Sequence, residues 1–150
     1  MTYVNTNINL FLEISAHLTG FSKTELEATG MLNTYYDTIL AKTSGENVEF
    51  FFKNVHDILN DPEQTSQLEE SIKMQLMPDH LYNALAKNII MLWYTGSLLN
   101  MAANVPFFTS NVVNAEAYKQ GLMWDAAHAH PPGAKQPGYG SWANLPITVK

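Results

Sequence analysis

Apolar residues recur along the first 100 positions at spacings of three and four, which is the period of one helix face. Ile8, Phe11, Ile14 and Leu18 form the first such stripe, and Gly20 follows it as a stop signal. Strand signals are weak throughout the chain. The pattern therefore predicts an all-α fold.

Capping and breaking residues divide the following stretch into four more helices. Ser22 and Glu25 have the spacing of a capping box, in which each side chain binds the other's backbone N–H. The fifth helix of the chain is apolar on most sides, so we expect it to be the central element. The four helices are predicted from Ser22 to Gly45, from Ser44 to before Asp61-Pro62, from about Pro62 to Met74, and from Pro78-Asp79 to Gly96.

The C-terminal third is less regular. One more helical stretch is predicted from Ala115 to about Trp124. From Ala129 onward Pro and Gly are so frequent that only polyproline II and turns are expected. We therefore predict a single helical domain of about five to six helices, residues 1–128, followed by an extended tail, residues 129–150. The tail can bury its aromatic residues only by lying on its own domain or on another subunit.

Composition removes several classes of function. The chain of 150 residues has 8 Lys and Arg against 14 Asp and Glu and no basic cluster, so nucleic acid is not an expected partner. It has no cysteine for a disulfide, a thiol nucleophile or a thiolate metal site. Residues 1–9 lack the pattern of a secretory signal, and no run of 18 apolar residues occurs. The high apolar fraction, 46%, indicates either a well-filled core or an aromatic surface that a partner covers.

Enzymatic motifs are also missing, since the chain has no phosphate-binding loop, nucleophile elbow or H-E-x-x-H pair. The best chemical cluster is Asp125, His128 and His130, which could bind zinc or iron if another histidine folded nearby. An independent helical metal-binding protein is therefore the alternative to a protein-binding function. A third reading is a stand-alone helical regulator whose tail folds back on its own core.

Three segments resemble the small subunit of membrane-bound, FAD-dependent sorbitol, glucose and fructose dehydrogenases. Residues 11–20, F-L-E-I-S-A-H-L-T-G, are similar to the family's F-x-x-L-S-x-x-L-T-G start, and residues 90–96, I-M-L-W-Y-T-G, to its A-W-Y-x-G segment. Residues 117–124, A-Y-K-Q-G-L-M-W, with Pro137-Gly138 and residues 142–146, W-A-N-L-P, resemble its E-x-A-L-M-[FWY] … P-G-x-W-A-x-x-P ending. These segments follow one another in the family's order and span nearly the whole chain, from residue 11 to residue 146.

The resemblance implies a non-catalytic subunit that holds no cofactor and supports folding and maturation of a large flavoprotein of the glucose–methanol–choline type. That partner would hold FAD, and a cytochrome c subunit is a further expected partner. Members of the family lie on the periplasmic side of the bacterial inner membrane and contact the membrane only through the other subunits. Because residues 1–9 lack a signal pattern, the cytoplasm is the alternative location. The predicted contact residues, with Trp93-Tyr94 as the platform from which the tail departs, are Trp93, Tyr94, Trp124, Pro131, Pro132, Pro137, Gly138, Tyr139, Trp142 and Pro146.

Overall fold

A computed structural model describes residues 2–61, 68–99 and 110–131 of the chain. This part is helical apart from one pair of three-residue strands, which confirms the all-α fold class. No helix in these three ranges is both long enough and apolar enough to cross a membrane. The elements are α1 (Thr2–Thr19), α2 (Lys23–Ala28), α3 (Leu32–Lys42), α4 (Gly45–Asn60), α5 (Leu68–Gln75), α6 (His80–Thr95), β1 (Ser97–Leu99), β2 (Ser110–Val112), α7 (Ala115–Lys119) and α8 (Leu122–Ala126).

Helix α6 is the central element, as its apolar pattern predicts. It packs against α1, α3, α7, α8 and strand β1. The Asp79 carboxylate caps its start by accepting hydrogen bonds from the N–H groups of Leu81 and Tyr82, at 2.8 and 3.0 Å. Its side chains at Leu85, Ile89, Leu92 and Trp93 are at most 1% exposed.

The helix predicted from Ser22 to Gly45 is divided in two by Gly30. This residue has φ +70°, which is the left-handed region, and its N–H donates to Glu27 O at 2.9 Å. A helix cannot continue through such a residue, so the chain turns and resumes at Leu32. The periodicity of Leu26 and Leu32 spans the break because both side chains face the core.

The predicted helix at 115–124 is likewise two short helices, separated at Gly121. Strands β1 and β2, which the sequence pattern does not predict, pair antiparallel with Leu98 opposite Asn111. Side-chain packing and a side-chain hydrogen bond hold this hairpin on α6. The side chain of the buried Asn88 makes two hydrogen bonds. Its Oδ1 accepts from the Leu99 N–H at 2.8 Å, and its Nδ2–H donates to Ala84 O at 3.0 Å.

The capping box at α2 is present as predicted, and it makes stability depend on pH. The Glu25 carboxylate accepts from the Ser22 hydroxyl at 2.6 Å and from the Ser22 N–H at 2.8 Å. These hydrogen bonds hold the pKa of Glu25 below its ordinary 4.5. When folding lowers the pKa of a carboxyl group, its ionised form stabilises the fold at pH values above the pKa of the unfolded state. This stabilisation is lost as the pH falls through the pKa of the folded state.

We therefore expect Glu25→Gln to lower the free energy of unfolding at neutral pH and to lose this effect in acid. Urea melts of both proteins across the acidic range measure the difference. Glu27→Gln, a change on the same helix outside the capping box, is the control. A difference between wild type and Glu25→Gln that stays constant down to acid pH would contradict the linkage.

Candidate partner interface

Two glycines bring the end of α6 against the α7–α8 segment, and we call this junction the α6–α8 corner. Gly96 ends α6 with φ +67°, and a Cβ atom there would lie 2.5 Å from the carbonyl carbon of Ala117. At Gly121 a Cβ atom would lie 2.7 Å from Tyr94 O. Only residues without a Cβ allow backbones to approach this closely. The corner is therefore set by glycine at both positions.

Trp93 lies inside this corner and is 0% exposed. Its ring stacks on Phe11 with centroids 6.2 Å apart and meets Tyr35 edge-on at 4.9 Å. Its indole Nε1–H has no hydrogen-bond partner among the described residues. Trp93 therefore belongs to the chain's own core. The sequence analysis predicts it as a contact residue, but it lies beneath the surface and supports the residues above it.

Tyr94, the next residue, joins α6 to the end of α1. Its hydroxyl donates to Thr19 O at 2.9 Å, and its ring meets Phe21 edge-on at 6.0 Å. On the other side of the corner the Tyr35 hydroxyl reaches Ala117 O at 3.5 Å, and burial raises the pKa of Tyr35. The two tyrosines therefore tie α1 and α3 to the corner through their hydroxyl groups.

Trp124 is the half-buried aromatic residue on α8. Its Nε1–H donates to Tyr118 O at 2.8 Å, and the two rings meet edge-on at 5.4 Å. The single donor of the indole is thus satisfied within the chain, while part of the ring stays at the surface. A rigid, partly exposed tryptophan is a typical anchor of protein interfaces.

The chain leaves α8 by turning back on it. His128 has φ +50°, and the Ala129 N–H donates to Trp124 O at 2.8 Å. Of the first three residues of the predicted tail, Ala129 is exposed, His130 is half-buried and Pro131 is buried. The other predicted tail contacts lie outside the described residues: Pro132, Pro137, Gly138, Tyr139, Trp142 and Pro146.

The histidines near this turn do not form a metal centre in the described structure. Asp125 and His128 are exposed, and His130 is half-buried. Within residues 2–61, 68–99 and 110–131, no three His, Asp or Glu side chains converge closely enough to hold a metal ion. The described geometry gives no support to the metal-binding alternative.

A groove between α3 and the hairpin is a feature that the sequence analysis does not anticipate. Its volume is about 960 Å³. One wall is the C-terminal half of α3, and the other is the hairpin, where Val112 is 50% exposed. The only sequence signal for this site is the pair of β-branched residues at Val112-Val113, which is too short to predict a strand. The lining residues are Thr34, Asp37, Thr38, Ile39, Ala41, Lys42, Thr43, Leu98, Leu99, Asn111, Val112 and Val113.

Comparison of the chain with protein-family models, curated proteins and solved structures finds no match. The resemblance to the dehydrogenase small subunits therefore stays a prediction that rests on the quoted segments. Residues 11–19 lie on α1 and residues 90–95 on α6, each followed by its glycine, and residues 117–124 run from the middle of α7 into α8.

Proposed function

We propose that this chain is the non-catalytic small subunit of a heteromeric, FAD-dependent sugar or polyol dehydrogenase, and that it supports folding and maturation of the flavoprotein subunit. One observation carries the proposal. The three described segments of the family resemblance, residues 11–20, 90–96 and 117–124, are far apart in sequence but contact one another around the α6–α8 corner, while residues 137–146 lie outside the described part of the chain. Phe11 stacks on Trp93, Tyr94 binds Thr19 O, and Gly96 lies against Ala117.

A surface of this kind suits a subunit that binds and does not catalyse. The corner is held by buried rings and by hydrogen bonds within the chain, so little conformational entropy remains to be lost when a partner binds. Tyr94 and Trp124 are half-buried there, and the Pro-rich segment begins just beyond Pro131. Proline restricts the unbound chain, which lowers the cost of ordering the tail on a partner.

In this proposal the large subunit is a flavoprotein of the glucose–methanol–choline type that holds FAD and binds the substrate. A cytochrome c subunit would receive the electrons. The complex would lie on the periplasmic side of the bacterial inner membrane and contact the membrane through its other subunits. The present chain contributes contact surface, with Pro137, Gly138, Tyr139, Trp142 and Pro146 of the tail as anchors.

Co-expression of the flavoprotein with versions of this chain tests the proposal. The truncated version should end after Pro131, because that buried residue is the last one that the structure describes. We expect co-expression with the full-length chain to give flavin-loaded, active dehydrogenase. Co-expression with the version that lacks residues 132–150 should give little flavin loading and little activity.

Trp142→Ala should weaken binding of the purified subunits by about 30-fold or more, the usual effect of losing a tryptophan hot spot.

Ser141→Ala is the matched control, since it changes the neighbouring residue without removing an aromatic anchor. Its binding should stay within about threefold of wild type, as for most residues around a hot spot. If the truncated chain yields as much flavin-loaded enzyme as full-length chain, the tail does not support maturation and the proposal is wrong.

A further inference from the structure

The outer edge of strand β2 presents backbone groups that β1 cannot use. Leu98 lies opposite Asn111, and the Val113 N–H donates to Gly96 O at 2.8 Å. In an antiparallel pair such hydrogen-bonded positions alternate with positions whose N–H and C=O point outward. Val112 is one of these outward positions, and no described residue bonds its amide group. The edge is therefore a template for another strand.

The opposite edge of the hairpin is closed. The N–H of Leu99 also points away from the partner strand β2, but it donates a hydrogen bond to the side-chain oxygen Oδ1 of Asn88 at 2.8 Å. Asn88 is 2% exposed, and its amide is held by Ala84 O. Among the described residues, the β2 edge is therefore the one that leaves outward backbone groups for an additional strand.

The groove beside β2 offers space and apolar surface for such a strand. The Val112 side chain is 50% exposed at this site, and the groove lies between the hairpin and α3. The polar wall on α3 carries both a carboxylate, Asp37, and an ammonium group, Lys42. Balanced charge favours a segment that binds through its backbone and its apolar side chains over a highly charged ligand.

We infer that Ile147-Thr148-Val149 of the same chain adds to the outer edge of β2 as a third strand. This is the only run of three β-branched residues in the sequence, and β-branched residues favour strands. The segment can reach the groove from Pro131, because the fifteen residues 132–146 extend up to about 50 Å. A folded domain of this length has a radius of gyration of only about 15 Å.

Docking of residues 147–149 would fix both ends of the Pro-, Gly- and Trp-rich stretch. One end is Pro131, which is buried, and the other would be the strand on β2. Residues 132–146 would then form a closed loop, and a closed loop loses less entropy on binding a partner than a free tail does. The inference itself does not depend on the identity of that partner, because it concerns contacts within one chain.

Disulfide formation in the cysteine-free chain tests the inference. Val112→Cys is combined in turn with Ile147→Cys, Thr148→Cys and Val149→Cys, and each double variant is oxidised as purified full-length chain. Side chains on a strand alternate between two faces, and a disulfide needs Cα atoms within about 7 Å. With Val112→Cys we therefore expect an alternating pattern. The crosslink forms with position 148 and not with 147 or 149, or it forms with 147 and 149 and not with 148. With Asn111→Cys, whose side chain faces the opposite side of the hairpin, the pattern should reverse.

Met74→Cys is the control, because this side chain is 72% exposed on α5. Pairing it with any of the three tail positions should give at least tenfold less crosslinked monomer than the best Val112 pair. Equal crosslinking at all three tail positions, or equal crosslinking to Met74, would show an undocked tail and overturn the inference. Disulfide-linked dimers would instead assign the edge to a second copy, and absence of any crosslink with both Val112 and Asn111 would also overturn it. None of these outcomes affects the binding test with the flavoprotein.

Discussion

Gly96→Ala should lower the free energy of unfolding by about 3 kcal/mol, far more than the same change at Gly30. Both glycines have positive φ, +67° and +70°, so both substitutions carry the penalty of a side chain in the left-handed region. Only at Gly96 would the new Cβ also lie 2.5 Å from backbone, at the carbonyl carbon of Ala117. A backbone atom cannot move aside as a flexible side chain can.

Gly30→Ala is the matched control, since nothing lies within 4 Å of its added Cβ. We expect it to cost about 1 kcal/mol, the conformational penalty alone. Urea denaturation of the two variants measures the comparison. Equal losses would show that α7 does not press against the end of α6, and the account of the α6–α8 corner would have to be abandoned.

Trp93→Ala should destabilise the chain by about 3–5 kcal/mol, the usual cost of emptying a buried tryptophan site. The ring is 0% exposed and packs on Phe11 and Tyr35. Trp93→Phe should cost much less, about 1–2 kcal/mol, because phenylalanine keeps an aromatic ring and removes a buried donor without a partner among the described residues.

Thermal and urea unfolding of the two Trp93 variants test this ranking, and Trp124→Phe provides the comparison at a satisfied indole. There the Nε1–H donates to Tyr118 O at 2.8 Å, so the change to phenylalanine removes the shorter of two hydrogen bonds to that carbonyl and leaves the one from the Gly121 N–H at 3.4 Å. If Trp93→Phe is as damaging as Trp93→Ala, then the Trp93 Nε1–H has a role in stability that the described contacts do not show.

Much of the fold could be predicted because its signals are local. The caps at Ser22 and Asp79 use side-chain oxygens on backbone groups two or three residues away, so their spacing is visible in the sequence. The apolar excess of α6 likewise marks it as central, since a helix apolar on most sides is stable only when covered on most sides.

The candidate site was less predictable, because its properties depend on neighbours that are distant in sequence. Trp93 and Trp124 look alike as aromatic residues at helix ends, yet one is fully buried and the other is half-buried. The difference comes from Phe11 and Tyr35, which cover Trp93 from two other helices. Pro131, the last described residue, is buried although it lies in the Pro- and Gly-rich segment.

The sequence by itself determined the helical class, the caps and the identity of the central helix, because periodicity and capping act within one or two turns of chain. The tertiary structure decided where the continuous patterns break, at Gly30 and Gly121, and that a hairpin forms where no strand is predicted. The break at Gly30 is a local turn, but the break at Gly121 and the hairpin depend on contacts made only after folding. The Asn88 side chain that holds Leu99, and the Ala117 backbone that requires Gly96, reach their partners only when α6 is already packed in the core.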